Sequence, residues 1–312
     1  MTEMTGMTGM TGMSGSNARR IRDVTVGPVG LGAMPLSIER RPDEARAFAT
    51  VHAALDAGVT LIDTADSYHW HADERGHNEE LIARAIAAYG GDTSDVLVAT
   101  KGGRGRPGDG SWTVNGTPEH LKRACEESLR RLGGEAIGLY QLHKPDPRVP
   151  FAESVGALRE LLDAGTIRMV GVSNVDAGQI RQADEILGGR LASVQNEYSP
   201  AVRDSAAELR LCDELGIAFL PWSPLGGISR SSLDAPPTAG SRTPAPPFAA
   251  FHEVARDHGV SPQRITLAWL LAKSPVVVPI PGASRPGTIR DSAAAGDVTL
   301  TADEFVRLDA VR

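Results

Sequence analysis

Apolar and polar positions alternate in two different periods along most of this chain. Short, nearly continuous apolar runs occur at 28–33, 60–64, 95–100, 137–142, 169–172, 193–196, 218–222 and 276–280. Between them, apolar residues recur at helical spacing over 42–56, 78–88, 118–132, 152–164, 177–187 and 206–215. Runs that are apolar on both faces predict buried parallel strands, and each intervening helix supplies a right-handed crossover. Eight such repeats predict an α/β fold of the (β/α)8 TIM-barrel type.

Boundary residues agree with this reading. Thr117-Pro118 and Ser261-Pro262 each offer a capping hydroxyl followed by proline at the first helical position, and Thr301 to Glu304 form a capping box. The segment 17–26 ahead of the first run predicts a small β-hairpin closing the barrel floor. Two long loops, 102–116 after the third run and 226–247 after the seventh, fall on the C-terminal face, where loops of that length act as lids or substrate-binding elements. The domain layout expected is a disordered Met/Thr/Gly-repeat tail over 1–18 and one barrel domain over 19–312. The tail holds five of the seven methionines and has no apolar period with which to bury surface.

Composition narrows the function. With 41% hydrophobic and 23% charged residues the chain is able to bury a large core, and its net charge of −7 without a basic run excludes nucleic acid or an anionic membrane surface as the expected partner. No apolar stretch is long enough for a transmembrane helix, and the first residues lack the parts of a signal peptide. The two cysteines, Cys125 and Cys212, both sit in helical patterns and read as buried thiols rather than a disulfide. The expectation is a cytoplasmic protein acting on a small molecule.

In a closed barrel the active site lies at the C-terminal strand ends, so polar residues there need a reason. Asp63 and Tyr68 follow the second run, Lys101 the third, and His143 the fourth. An acid, a phenol, an amine and an imidazole around one rim suit carbonyl reduction. An incoming hydride leaves charge on the carbonyl oxygen and calls for a proton donor. Tyr68 would give the proton, Lys101 would lower the phenol's pKa, Asp63 would keep the lysine charged and oriented, and His143 would orient the substrate oxygen. Asp66 reads as a loop residue. Trp70, Trp112 and Trp222, with the two long loops, are candidate pocket walls, and their aromatic character predicts an apolar or aromatic carbonyl compound.

Six segments, "IDTADSY", "ATKGG", "LYQLHKPDP", "GVSN", "VQNEYSP" and "PWSPLGG", run in the order found in aldo-keto reductases, which the chain resembles over 21–312. The resemblance implies a (β/α)8 barrel, the tetrad Asp63, Tyr68, Lys101 and His143, and a nicotinamide cofactor lying across the rim. It further implies that Ser173, Asn174 and Gln195 hold the carboxamide and that Tyr198 stacks on the nicotinamide ring. Trp222, Ser223, Leu225 and Gly282 are further cofactor contacts. "GASRPGTIRDS" is similar to the family's segment for the adenosine 2′-phosphate, with Ser284 and Arg285 as its contacts, which favours NADPH over NADH. Thr288 and Ser292 stand where relatives often carry larger polar residues.

Two rival readings use the same barrel. His69, His71 and nearby His77 suggest a metal-dependent barrel hydrolase, although no histidine follows the later runs and no metal is expected. Alternatively, a barrel that has lost turnover would use cofactor occupancy as a regulatory signal.

Overall fold

The computed structural model describes residues 18–229 and 248–311. The expected disordered tail, apart from Ala18, and most of the second long loop lie outside the described residues. The chain opens with β1 (Arg19–Ile21) and β2 (Val24–Val26), an antiparallel pair. Next come β3 (Leu31–Gly32), α1 (Glu44–Asp56), β4 (Leu61–Asp63), α2 (His77–Ala87) and β5 (Leu97–Gly102). A second hairpin, β6 (Arg104–Gly105) with β7 (Thr113–Val114), precedes α3 (Pro118–Leu132). The alternation resumes with β8 (Ile137–Leu142), α4 (Phe151–Asp163), β9 (Ile167–Ser173), α5 (Ala177–Ile186), β10 (Leu191–Gln195), α6 (Ala206–Leu215) and β11 (Ala218–Phe219). Four helices complete the described chain: α7 (Ala249–His258), α8 (Pro262–Lys273), α9 (Pro286–Ala293) and α10 (Ala302–Asp309).

Seven strands form one parallel sheet in the order β11-β10-β9-β8-β5-β4-β3. The eighth predicted run makes bridges rather than a ladder: Val277 pairs with Phe219 of β11, and Gly282 pairs with Gly32 of β3. Gly30 and Gly32 also donate to the Pro279 and Pro281 carbonyls at 2.9 and 3.0 Å. The two edges are thereby joined and the sheet closes as a (β/α)8 barrel. Prolines at 279 and 281 have no N–H to give, which explains why this segment cannot form a full ladder. Gly32 is needed at the seam, because a Cβ there would lie 2.7 Å from the Ile280 carbonyl oxygen.

The expected hairpin caps the floor. Ile21 and Val26 are buried and cluster with Leu61, Leu97, Leu139 and Met169 inside the barrel. Between sheet and helices, Ala47, Val51 and Ala54 of α1 with Leu81 and Ile82 of α2 bury against Leu31 and Ile62. Caps fix the helix starts: Asp43, Ser261 and Thr301 each accept from a backbone N–H three residues on. Thr117 does not act as expected, since its hydroxyl donates to Asn115 at 2.9 Å instead of capping α3. Cys125 and Cys212 are free and buried, and burial pushes both thiols up to about 12. Among the described residues, no helix is long and apolar enough to cross a membrane.

Candidate active site

At the C-terminal mouth the barrel opens into a cavity of about 590 Å³. β4 ends at Asp63, and the chain then turns through residues 64–76 before α2 begins. This turn is pinned inward. The Thr64 hydroxyl donates to Asn78 at 2.6 Å, and Asn78 in turn donates to the Ala33 carbonyl and the Ser37 hydroxyl. Tyr68, 6% exposed, lies within this turn and lines the cavity with Asp63 and His143.

Lys101, on β5, is fully buried behind them. Its ammonium lies 2.6 Å from Asp63 Oδ2, 2.9 Å from the Thr64 carbonyl and 3.0 Å from the Tyr68 hydroxyl oxygen. An ammonium has three N–H donors and no acceptor, so these three contacts saturate it. The Tyr68 oxygen therefore accepts from Lys101 and keeps its own O–H for an occupant of the cavity. Asp63 Oδ1 accepts from Gln195 at 2.8 Å and from Gln141 at 3.4 Å, so both carboxylate oxygens are engaged. Such complete pairing is what a buried charge requires.

Electrostatics follow burial. Burial pulls the Lys101 ammonium down, but the Asp63 charge, with the hydrogen bonds to Asp63 and the Tyr68 oxygen, outweighs it and holds the group above its ordinary value. Burial likewise raises the Tyr68 phenol, and here it wins over the downward pull of Lys101. Lys101 does pull the phenol down, as expected, but desolvation is the larger effect, so the phenol is raised overall and stays protonated. His143 is driven well below the usual imidazole range by burial first, then by Lys101 and Arg104. It is neutral at physiological pH, with the Ser67 hydroxyl 3.4 Å from Nδ1.

Ser173, Asn174, Gln195, Trp222, Ser223, Leu225 and Gly282 also line the cavity. Ser173 donates to the Gln195 carbonyl at 2.7 Å, and the Asn174 amide donates to the His143 carbonyl at 2.9 Å. Asn174 and Ser223 have φ of +60° and +46°, a left-handed backbone uncommon for residues other than glycine and frequent at functional sites. Trp222 Nε1 is buried with no acceptor among the described residues.

Four expected residues do not line the cavity. Tyr198 is 2% exposed and turned away from the mouth, stacked on Trp269 at 6.1 Å and edge-on to Phe219, so it belongs to the core. Trp222 lines the cavity instead. Trp70 is also outside: the Arg106 guanidinium sits 5.6 Å over its ring, and His71 packs beside it. Ser284 and Arg285 lie beyond Gly282, with Arg285 at the start of α9.

Other residues were missed. Arg104, Met34, Pro35 and Lys144 line the cavity. Trp112, an expected wall, has the guanidinium groups of Arg104 and Arg106 over its ring at 4.4 and 4.6 Å, and meets Tyr68 edge-on at 6.5 Å. The signal was the Arg-x-Arg pair in the first long loop. Asp66 is more than a loop residue: it is fully buried and bonded to Arg75 at 2.7 Å, with its carboxyl pushed up to about 7 by burial and by Glu79. His69 Nδ1 faces the His71 carbonyl and His77 Nδ1 the Ser37 hydroxyl, and no cluster of three or more metal-ligating side chains occurs among the described residues.

A closed parallel barrel with its polar groups collected at the C-terminal mouth is the layout of an enzyme. The Aldo/keto reductase family model matches residues 28–312, and the chain belongs to this family of oxidoreductases. It is 32% identical over 294 residues to an uncharacterized oxidoreductase of Schizosaccharomyces pombe, covering 93% of this chain and 88% of that one. A glycerol dehydrogenase from Gluconobacter oxydans has a similar structure, with TM-score 0.79, 29% identity and 95% of each chain covered. An aldo/keto reductase from Klebsiella pneumoniae in complex with NADP and acetate is similar at TM-score 0.70 and 27% identity, with 91% of each chain covered.

Proposed function

We propose that this chain reduces an aldehyde or ketone to an alcohol with NADPH, and that Tyr68 donates the proton. The observation that carries the reading is the saturated Lys101 ammonium, which leaves the Tyr68 O–H directed to the cavity. Family membership supports the oxidoreductase class, and the NADP in the Klebsiella pneumoniae relative supports the cofactor. A reduced nicotinamide, when bound, supplies the hydride.

The residues present fit such a group. Trp222 offers a ring face and an indole N–H that lacks an acceptor, and Ser173, Asn174 and Gln195 offer amide and hydroxyl groups in the same cavity. These would hold the nicotinamide end. Ser223, Leu225 and Gly282 would flank the link to the adenosine, and Ser284 and Arg285 would meet its 2′-phosphate. Trp222 takes the stacking role first expected of Tyr198.

Chemistry at the substrate oxygen belongs to this chain. As negative charge builds there, Tyr68 passes its proton, and the phenolate left behind is stabilised by Lys101 at 3.0 Å. Asp63 balances the lysine. With the Ser67 hydroxyl donating to Nδ1, neutral His143 presents Nε2–H to the same oxygen. Burial keeps Tyr68 protonated and ready as an acid, so proton donation does not depend on pH near neutrality. The buried free thiols are compatible with a cytoplasmic setting.

The test is a titration of NADPH and NADH into the purified protein, followed by a panel of aldehydes and ketones read as loss of dihydronicotinamide absorbance. Tighter NADPH binding with carbonyl-dependent oxidation is expected. Tight binding with no oxidation by any member of the panel would favour a regulatory barrel instead.

A further inference from the structure

The cavity holds more positive charge than the proposed chemistry uses. Among the described residues, the charged ones lining it are Asp63, Arg104 and Lys144. Asp63 is balanced by buried Lys101, so the two cations face the cavity in a chain whose net charge is −7. Lys144 is exposed and free to reach water. Arg104 is half-buried on β6, and its backbone is fixed by pairing with Val114.

Arg104 and Arg106 make an informative pair, because both stack on Trp112 yet only one has an anion. Arg106 donates through Nη1 to Glu39 at 3.0 Å and through Nη2 to the other oxygen of the same carboxylate. Arg104 has no carboxylate partner and no side-chain hydrogen bond among the described residues, and its Nε is buried without an acceptor. A partly desolvated guanidinium left in this state is costly unless something enters to meet it. The stacking geometry adds direction: the indole covers one face of the planar group, so its N–H donors point along the edge, the arrangement that grips a carboxylate bidentately.

Position separates this cation from the cofactor's anionic groups. Ser223 follows β11 and Gly282 closes against β3, whereas Arg104 follows β5, which lies between β8 and β4. Arg104 instead shares Trp112 with the proton donor and the orienting imidazole, since Trp112 meets Tyr68 at 6.5 Å and His143 at 6.3 Å. A group held by Arg104 is therefore one indole away from the reacting oxygen.

We propose that Arg104 binds a carboxylate carried by the carbonyl substrate, so that the substrate class is oxo-carboxylates whose two functions are spaced by a ring or a short chain. This rests on the reductase reading above and adds an anionic group to the expected apolar or aromatic carbonyl compound. Trp112 supports the guanidinium on one face and the substrate's spacer beside it.

The test compares para-formylbenzoate with its methyl ester, using NADPH and the full chain. The native enzyme is expected to favour the acid in kcat/KM. In Arg104→Met the acid-to-ester ratio should fall by about ten- to a hundredfold, the range for a charge-assisted contact, and Arg104→Lys should restore part of it. A native preference for the ester, or an equal loss on both substrates, would overturn the proposal and leave Arg104 as a support for Trp112. Calorimetric binding of para-(hydroxymethyl)benzoate to the protein with NADP separates this from the reductase reading. If no carbonyl is reduced, yet this anion binds the native chain and not Arg104→Met, the anion site stands and the reductase reading fails. If it binds both proteins equally, the anion site fails.

Discussion

The floor and the mouth of this barrel are built from the same strands by opposite rules. At the floor, Ile21 and Val26 of the hairpin meet Leu61, Leu97 and Leu139, and nothing polar needs a partner. Two residues further along β4, Asp63 enters a network in which Lys101, Gln195 and Gln141 satisfy both of its oxygens. The floor gains from area removed from water, at about 25 cal/mol per Å². The mouth depends on completeness, because a single missing partner strands a buried charge. The floor thus rests on apolar burial and the mouth on complete polar pairing, on one continuous set of strands.

The comparison breaks most sharply at Lys101. Lys101→Met should abolish reduction and cost about 3–5 kcal/mol of stability, because Asp63 is left buried without its cation; urea denaturation together with a turnover assay checks both losses. Ile21→Ala should cost about 2–5 kcal/mol by leaving a cavity in the floor, with kcat nearly unchanged. A large fall in kcat in that variant would mean the two ends are not separable.

Asp66 sharpens the contrast, since it is a carboxyl at the mouth buried on terms closer to those of the floor. Its folded value of about 7 lies above the unfolded one, so the folded state binds the extra proton and stability from this group is lost as pH rises from about 4 to about 7. Asp66→Asn should remove that slope, measured as the difference from the native chain in denaturation midpoints at about pH 5 and about pH 8. The smallest effect expected is on the pH profile of kcat/KM. Tyr68 is raised from an already high value and His143 is held well below 6.5, so neither titrates near neutrality and the profile should be level from about pH 6.5 to about pH 8.5.

Much of this was legible in the sequence for a physical reason. Strands buried on both faces are continuous apolar runs, and the polar residue that ends each run marks the mouth, which is how Asp63, Lys101 and His143 stood out. Side-chain direction past a strand end was not legible. Tyr198 lies just beyond β10 and turns outward onto Trp269, while Trp222 lies just beyond β11 and stays in the cavity, and no periodicity separates the two. Arg104 was passed over because an arginine in a glycine-rich loop reads as solvated. Only its contact with the Trp112 ring, which Arg106 shares, gives it a place. Trp70 misled for the converse reason, an aromatic near the motif whose face is already taken by Arg106.

The central claim is that the Tyr68 hydroxyl supplies the proton. Its most direct measurement is Tyr68→Phe, which deletes one oxygen, assayed in parallel for NADPH affinity and for carbonyl reduction. The account predicts cofactor affinity within a few-fold of the native chain and a rate lower by about a hundred- to ten-thousandfold. Reduction at a near-native rate in that variant would contradict it.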